Sequence, residues 1–127
     1  MKLRIKGNSL RLRVSPSEVA RLLKHDCLEE TIHFGPQASA KLTYALQQEP
    51  TVSRLTVQYL ENRVTVLIPA DRANTWGITD EVAIAEEISL GELGALAVSI
   101  EKDFACLDRS EEENHDTFAN PSAGTRC

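Results

Sequence analysis

Residues 2–23 read KLRIKGNSLRLRVSPSEVARLL, a stretch that predicts two strands followed by a short helix. Apolar and basic side chains alternate over residues 1–6 and again over residues 10–14, which is the period of a half-buried strand. Gly7-Asn8 between them suits a tight connection, because both residue types tolerate positive φ. The run Ser15-Pro16-Ser17-Glu18 then supplies a helix cap, a proline for the first helical position and the acid of a capping box. The sequence therefore opens with a β-hairpin that leads into a helix.

The remaining strands are predicted from the same alternation of side chains. They are expected near residues 27–34, 41–47, 54–60, 64–68, 81–85 and 95–101. Pro69 predicts the start of a second short helix that carries Ala73 and Trp76, and Gly77 is placed to be its C-terminal cap. Trp76 lies on the apolar stripe of this helix, so we expect its side chain in the core.

An internal duplication is indicated when the sequence is aligned with itself. At an offset of 54 residues, without gaps, Asn8 falls on Asn62, and apolar positions superpose in both helices and in the strands. The superposed pairs are Leu3/Val57, Ile5/Tyr59, Leu10/Val64, Leu12/Val66, Val14/Ile68, Val19/Ala73, Leu22/Trp76, Leu28/Val82, Phe34/Ile88, Leu42/Leu96, Tyr44/Val98 and Leu46/Ile100, and the pairs that fail are Glu30/Ile84 and Ile32/Glu86.

The duplication predicts a strand-dominated α+β fold built from two ββαββ repeats, residues 1–48 and 55–102. We expect a small barrel-like domain of about eight strands and two short helices. Residues 1–106 are predicted to form a single globular domain. Residues 107–127 are predicted to be a flexible acidic tail, because they hold few large apolar residues and a cluster of acids: Glu111, Glu112, Glu113 and Asp116.

Composition limits the classes of protein to which the chain can belong. The three cysteines are an odd number, and no apolar segment follows the basic residues at the start, so we expect a cytoplasmic protein with reduced thiols rather than a secreted disulfide scaffold. No apolar run approaches the roughly 20 residues that span a bilayer, and a membrane partner is not expected.

One local resemblance concerns GNSLRLRVSPSEVARLL, residues 7–23, which looks like the swapped-hairpin proteins of the AbrB/MazE type. Residues 64–84, VTVLIPADRANTWGITDEVAI, echo the same strand, proline and helix. In that family two chains interlock to form one barrel and bind DNA. The resemblance implies that this single chain could supply both halves of such a barrel. In the second copy the turn is Glu61-Asn62-Arg63 and most of the basic residues are missing.

The whole chain is also similar to a group of small uncharacterised bacterial proteins. The matching features are KLRIKGNSLRLR at the start, HFGP at residues 33–36, LTYAL at residues 42–46, EKDFACL at residues 101–107 and the acidic tail ending FANP. This resemblance implies one family fold and assigns no activity.

The first hairpin carries the candidate binding residues, which are Lys2, Arg4, Lys6, Arg11 and Arg13. Residues 1–24 hold seven basic residues and one acid, whereas the remainder holds seven basic and eighteen acidic residues. If the two strands pair, all five cations share one face and repel one another, so we expect an anion to offset them. That anion is either a polyanion such as a phosphate backbone, or acids of the same chain such as Glu29, Glu30, Glu86 and Glu87. A solvated face is the remaining alternative.

Catalytic and metal-binding signals are weak. Cys27 and His33 lie on one predicted strand, but no paired Cys/His spacing accompanies them. Cys106 with Asp103 and His115 is the nearest approach to an activated nucleophile, although His115 falls in the predicted tail. We therefore predict no catalytic residue, no metal site and no cofactor.

The resulting functional prediction is a non-catalytic binding or regulatory module whose partner is an unknown protein or a polyanion. One alternative is a nucleic-acid-binding transcriptional regulator or antitoxin of the swapped-hairpin type, which the one-sided charge does not favour. A second alternative is an interaction module whose acidic part recognises a basic partner. A third is a cysteine- or metal-dependent enzyme.

Overall fold

The computed structural model describes residues 1–104 and 116–118. This part of the chain contains eight strands, two α-helices and a single 3-10 turn, which confirms the strand-dominated α+β class. The elements are β1 (Lys2–Lys6), β2 (Ser9–Val14), α1 (Pro16–Leu23), β3 (Leu28–His33), β4 (Lys41–Glu49), β5 (Thr56–Leu60), β6 (Arg63–Pro69), α2 (Ala70–Ile78), β7 (Ala83–Ser89), the 3-10 turn (Gly91–Leu93) and β8 (Ala95–Lys102).

The eight strands form two sheets, and each sheet takes one hairpin from each repeat. Sheet A has the order β1-β2-β8-β7 and sheet B the order β3-β4-β6-β5. Neighbours within a hairpin are antiparallel, whereas the central pairs, β2 with β8 and β4 with β6, are parallel. The hairpins of the two repeats are therefore interlocked within a single chain.

The registers of the central strand pairs follow the offset of 54 that the internal duplication predicts. Ser9 pairs with Ala97 in sheet A, and Arg63 pairs with Thr43 in sheet B, so the same offset of 54 relates both partners. The turns repeat as well. The Asn8 side chain donates to the carbonyl of Ala95 at 2.8 Å, and the Asn62 side chain donates to that of Ser39 at 3.1 Å. Each asparagine thus fixes the loop before the last strand of the opposite repeat.

The third strand of the second repeat departs from this offset. Leu28 pairs with Leu46, but Ile84 rather than Val82 pairs with Ile100. The second repeat has two more residues from Trp76 to Ile84 than the first has from Leu22 to Leu28, and the loop between β7 and β8 is two residues shorter than the loop between β3 and β4. The predicted equivalences Leu28/Val82 and Phe34/Ile88 are therefore wrong. The structural pairs are Leu28/Ile84, Glu30/Glu86, Ile32/Ile88 and Phe34/Leu90, which also removes the two mismatches noted in the sequence.

One core cluster contains residues from both sheets and both helices. It includes Leu12 of sheet A, Leu46 of sheet B, Leu22 of α1 and Trp76 of α2, all with at most 1% of their surface exposed. The core position expected for Trp76 is thus confirmed, and its indole N–H donates to the carbonyl of Val82 at 3.2 Å. Within residues 1–104 no strand pairs across the two sheets, so the expected barrel is not closed.

The helices begin and end for different reasons. Ser15 and Glu18 form the predicted capping box, in which the Ser15 amide donates to Oε1 of Glu18 at 3.0 Å. Gly77 is not the C-terminal cap of α2, because the helix continues through it to Ile78. A Cβ at Gly77 would lie 2.8 Å from Cδ1 of Leu23, so the glycine permits the close approach of the two helices.

None of the described helices has the length and apolar character that crossing a bilayer requires.

Two equivalent buried polar residues, Gln48 and Lys102, hold the ends of the helices. The Gln48 amide donates to the carbonyl of Leu22 at 2.8 Å, and Nζ of Lys102 donates to the carbonyl of Thr79 at 2.7 Å. Lys102 is 6% exposed, and its Nζ lies 5.6 Å from the centre of the Trp76 ring. Burial lowers the pKa of Lys102, and the nearby carboxylates of Asp80 and Glu81 oppose that shift.

Gly77→Ala is expected to destabilise the protein by about 1 kcal/mol. Overpacking costs about 1–3 kcal/mol, and the better helix propensity of alanine returns about 1 kcal/mol. Urea denaturation measures the change. In a Leu23→Ala background, which removes the atoms in the way, the same substitution should become neutral or stabilising. Equal losses in both backgrounds would contradict the packing explanation.

Lys102→Gln is expected to remove part of the increase in stability that the wild-type protein shows as the pH rises in the alkaline range. Because the pKa of Lys102 is lower in the folded state than in the unfolded chain, wild-type stability rises as the pH passes from the folded value towards the unfolded one. Wild type should therefore gain stability relative to Lys102→Gln as the pH rises through the alkaline range towards the ordinary pKa of lysine, measured as free energies of unfolding in urea. Lys24→Gln, at an exposed position, is the control for the loss of one lysine charge.

Candidate functional site

The five predicted binding residues lie on one face of sheet A. Across the first hairpin, Lys2 is opposite Arg13, Arg4 is opposite Arg11, and Lys6 follows on the same side. Leu12 alternates with the two arginines of β2 and is buried in the core, so the five cations occupy the outer face. We refer to Lys2, Arg4, Lys6, Arg11 and Arg13 as the basic face.

Two acids, one on β8 and one directly after it, reach the basic face. Glu101 lies on β8 beside Arg13, and its carboxylate is 3.7 Å from Nε of Arg11 and 3.5 Å from Nε of Arg13. Nζ of Lys2 lies 2.8 Å from Oδ2 of Asp103, a residue that is 6% exposed. One carboxylate is therefore shared by two arginines. Exposed pairs of this kind contribute about 0–1 kcal/mol each.

Arg4 and Lys6 are left without such partners. Both side chains are exposed, and no acid among residues 1–104 and 116–118 lies within ion-pair distance of either. Arg4 stands directly opposite Arg11, so like charges face each other across the hairpin. The basic face thus carries five cations against two carboxylates, with the excess at the end of β1.

Three of the four acids that the sequence suggested as partners are engaged elsewhere. Glu29 accepts from Nη1 of Arg63, whose pKa this hydrogen bond raises. Glu86 accepts from the backbone amide of Leu55 at 2.7 Å, and Glu30 accepts from the Tyr44 hydroxyl at 3.2 Å. Sequence reasoning missed Glu101 as an acid partner of the basic face, although the swapped-hairpin resemblance implied interlocked hairpins. Exchange of hairpins places β8 next to β2, which brings Glu101 beside the arginines.

A shallow groove of about 460 Å³ adjoins the basic face. Its floor lies over β8, where Ala97 and Ser99 are small, and Arg11 and Glu87 lie among its walls. The outer face of sheet A therefore changes sign across its width, from cations on β1 and β2 to acids on β7 and β8.

The equivalent face of sheet B provides an internal comparison. The offset of 54 places Thr56, Gln58, Leu60, Thr65 and Leu67 at the positions of the five cations. These residues are neutral, yet they form a hairpin with the same register. Cations at these positions are therefore not a requirement of the fold.

The remaining candidates from the sequence do not form a site in the described part of the chain. Cys27 lies 3.7 Å from Nη2 of Arg63, and His33 is at the far end of β3. Within residues 1–104 and 116–118 no three histidine, cysteine or acidic residues form a group that could hold a metal ion. Cys106, His115 and the acids Glu111, Glu112 and Glu113 lie outside the described residues.

Residues 1–122 match the model of a family of unknown function (DUF7009), which covers nearly the whole chain of 127 residues. The chain belongs to this family. The predicted similarity to an uncharacterised family is thus confirmed. No curated protein and no solved structure matches the chain. Membership of DUF7009 assigns no activity, so function has to be argued from the face itself.

Arg4→Gln is expected to stabilise the protein at low salt by a few tenths of a kcal/mol, at most about 1 kcal/mol. The substitution removes a like charge directly opposite Arg11, and such pairs are destabilising in a sheet. The gain should shrink at 1 M NaCl, where the Debye length is about 3 Å. Arg63→Gln is the control, since Arg63 has an acid partner and its loss should be neutral or destabilising. Destabilisation by Arg4→Gln at low salt would show that Arg4 is internally compensated.

Proposed function

We propose that this chain is a non-catalytic binding or regulatory module of the bacterial cytoplasm that binds a polyanion through its basic face. The observation that carries the proposal is the exposed pair Arg4 and Lys6, which have no acid partner in the described part of the chain. Arg11 and Arg13, which share Glu101, extend the same surface. A phosphate backbone is the polyanion that we test first.

The internal duplication supports a functional origin of these charges. Sheet B folds with neutral residues at the positions equivalent to the cations, so sheet A could do the same. Like charges opposite each other in a sheet cost stability. Charges that the fold neither requires nor favours are expected where a partner supplies the opposite charge.

The spacing of the cations suits a regularly charged chain. On one face of a strand, successive side chains are roughly 6.8 Å apart, and neighbouring strands are about 4.8 Å apart. Lys2, Arg4 and Lys6 follow this period along β1. A nucleic acid strand carries one phosphate per about 3.4 Å of helix axis, so a row of three cations with this period is long enough to meet more than one phosphate. The face therefore offers a short row of charges to a backbone, without reading bases.

A second candidate function is a DNA-binding regulator of the swapped-hairpin type. The exchange of hairpins between the two repeats favours it, because that arrangement is what the resemblance implied. Its two-fold surface is not repeated here, since sheet B lacks the cations. Any DNA binding should therefore come from one sheet.

Wild type is expected to bind labelled nucleic acid with an affinity that falls steeply with salt. Fluorescence anisotropy with duplex DNA, single-stranded DNA and RNA at several salt concentrations measures this. Arg4→Gln/Lys6→Gln removes two phosphate contacts, so the slope of log K against log salt should decrease in magnitude by about 2 for duplex DNA. Lys24→Gln/Lys41→Gln removes the same charge from exposed positions outside the basic face and should leave the slope unchanged.

Polyglutamate serves as the polyanion without phosphate. Competition by polyglutamate as effective as that by nucleic acid would identify an acidic protein as the partner class. No binding of any of these polyanions at low salt and micromolar protein would overturn the proposal. Equal loss in both double variants would also count against it, because the effect would then be one of net charge.

A further inference from the structure

The C-terminal residues Asp116, Thr117 and Phe118 return to the globular part of the chain beside the basic face. The Asp116 carboxylate accepts from the Ser17 hydroxyl at 2.6 Å and from the Ser17 amide at 3.3 Å. Ser17 lies in the first turn of α1, where amides have no partner within the helix. Negative charge is favoured at this end of a helix. Asp116 therefore seats a carboxylate at the start of α1.

Phe118 anchors this contact. Its amide donates to the carbonyl of Asp103 at 2.6 Å, and the residue forms a parallel bridge with Phe104. The two phenylalanine rings meet edge to face with their centres 5.7 Å apart, and Nζ of Lys102 lies 5.6 Å from the centre of the Phe118 ring. The anchor combines an apolar contact, a backbone hydrogen bond and a cation–π contact.

The seated carboxylate shares a cavity with the basic face. A cavity of about 380 Å³ is lined by Lys2 and Arg13 of that face, by Ser15 and Ser17 of the helix start, and by Asp116. Lys2 already contacts Asp103, which lines the same cavity. Asp116 thus adds a further carboxylate, besides those of Asp103 and Glu101, to the end of the basic face at which those two cations lie.

We propose that residues 116–118 form an intramolecular clasp that competes with the anionic partner for the Lys2–Arg13 end of the basic face. The inference rests on the proposed function of that face and adds its regulation. Asp116 supplies the competing charge, and Phe118 holds it in place. A polyanion that extends along β1 and β2 towards Lys2 and Arg13 meets this carboxylate and must displace it or bind more weakly.

Three variants separate the charge from the anchor. Asp116→Asn removes the charge but keeps an oxygen that can accept from Ser17. Asp116→Ala removes both. Phe118→Ala removes the anchor and leaves the net charge unchanged, so a gain in affinity there cannot come from net charge. Asp71→Asn is the matched control, because it gives the same charge change away from sheet A. Asp71 lies in the first turn of α2, at the position equivalent to Ser17 of α1.

Binding of labelled duplex DNA should tighten about two- to fivefold in all three clasp variants at low salt. That range corresponds to an exposed charge interaction of up to about 1 kcal/mol. Asp71→Asn should remain at the wild-type affinity. Wild-type affinity in Phe118→Ala and Asp116→Ala would overturn the clasp and leave the proposed function standing.

Amide hydrogen exchange in the free protein tests the docking separately. The Ser17 amide should be protected in wild type and should exchange faster in Asp116→Ala and in Phe118→Ala, because its partner is lost or released. Unchanged exchange in both variants would overturn the docked clasp whatever the binding data show. Protection of Ser17 together with no DNA binding by any variant would overturn the proposed function, and competition with it.

Discussion

The parallel pairing of β2 with β8, and its counterpart between β4 and β6, is the constraint on which the rest of the structure depends. Each central strand pairs along one edge with a strand of the other repeat. Neither repeat therefore contains a complete sheet, and neither could bury its apolar face alone. The single core, the contact of the two helices and the position of the acids near the basic face all follow from this exchange.

Much of the fold was predictable from residues 2–23 and the self-alignment, because alternation and capping are local signals. The two mismatched pairs of the self-alignment were a signal of the two-residue slip of β7, but an alignment without gaps could not place it, and only the pairing of Ile84 with Ile100 fixes it. The role of Gly77 was also hidden. A glycine near a helix end suggests a C-terminal cap. Gly77 is instead required because the Leu23 side chain of α1 leaves no room for a Cβ at this position.

The position of the basic face was predicted from the sequence, but the carboxylates that partly neutralise it were not. Alternation and pairing place all five cations on one face, and the register confirms that placement. Their acid partners come from β8, which is remote in sequence, and proximity across a sheet is not encoded locally. The duplicated fold then allows a comparison that a single sheet could not provide. Sheet B shows that the hairpin forms with neutral side chains at these positions. The cations of sheet A are therefore charges that the architecture does not require.

The exchange of hairpins also has a consequence for the order in which the chain is made. β2 is synthesised before β8. The edge of β2 that pairs with β8 therefore has no partner until residues 95–102 have been synthesised. Until then the first hairpin has an open edge and an uncovered apolar face, and long-range parallel pairing is slow to form. Sheet A can therefore be completed only after the last of the described strands has been made.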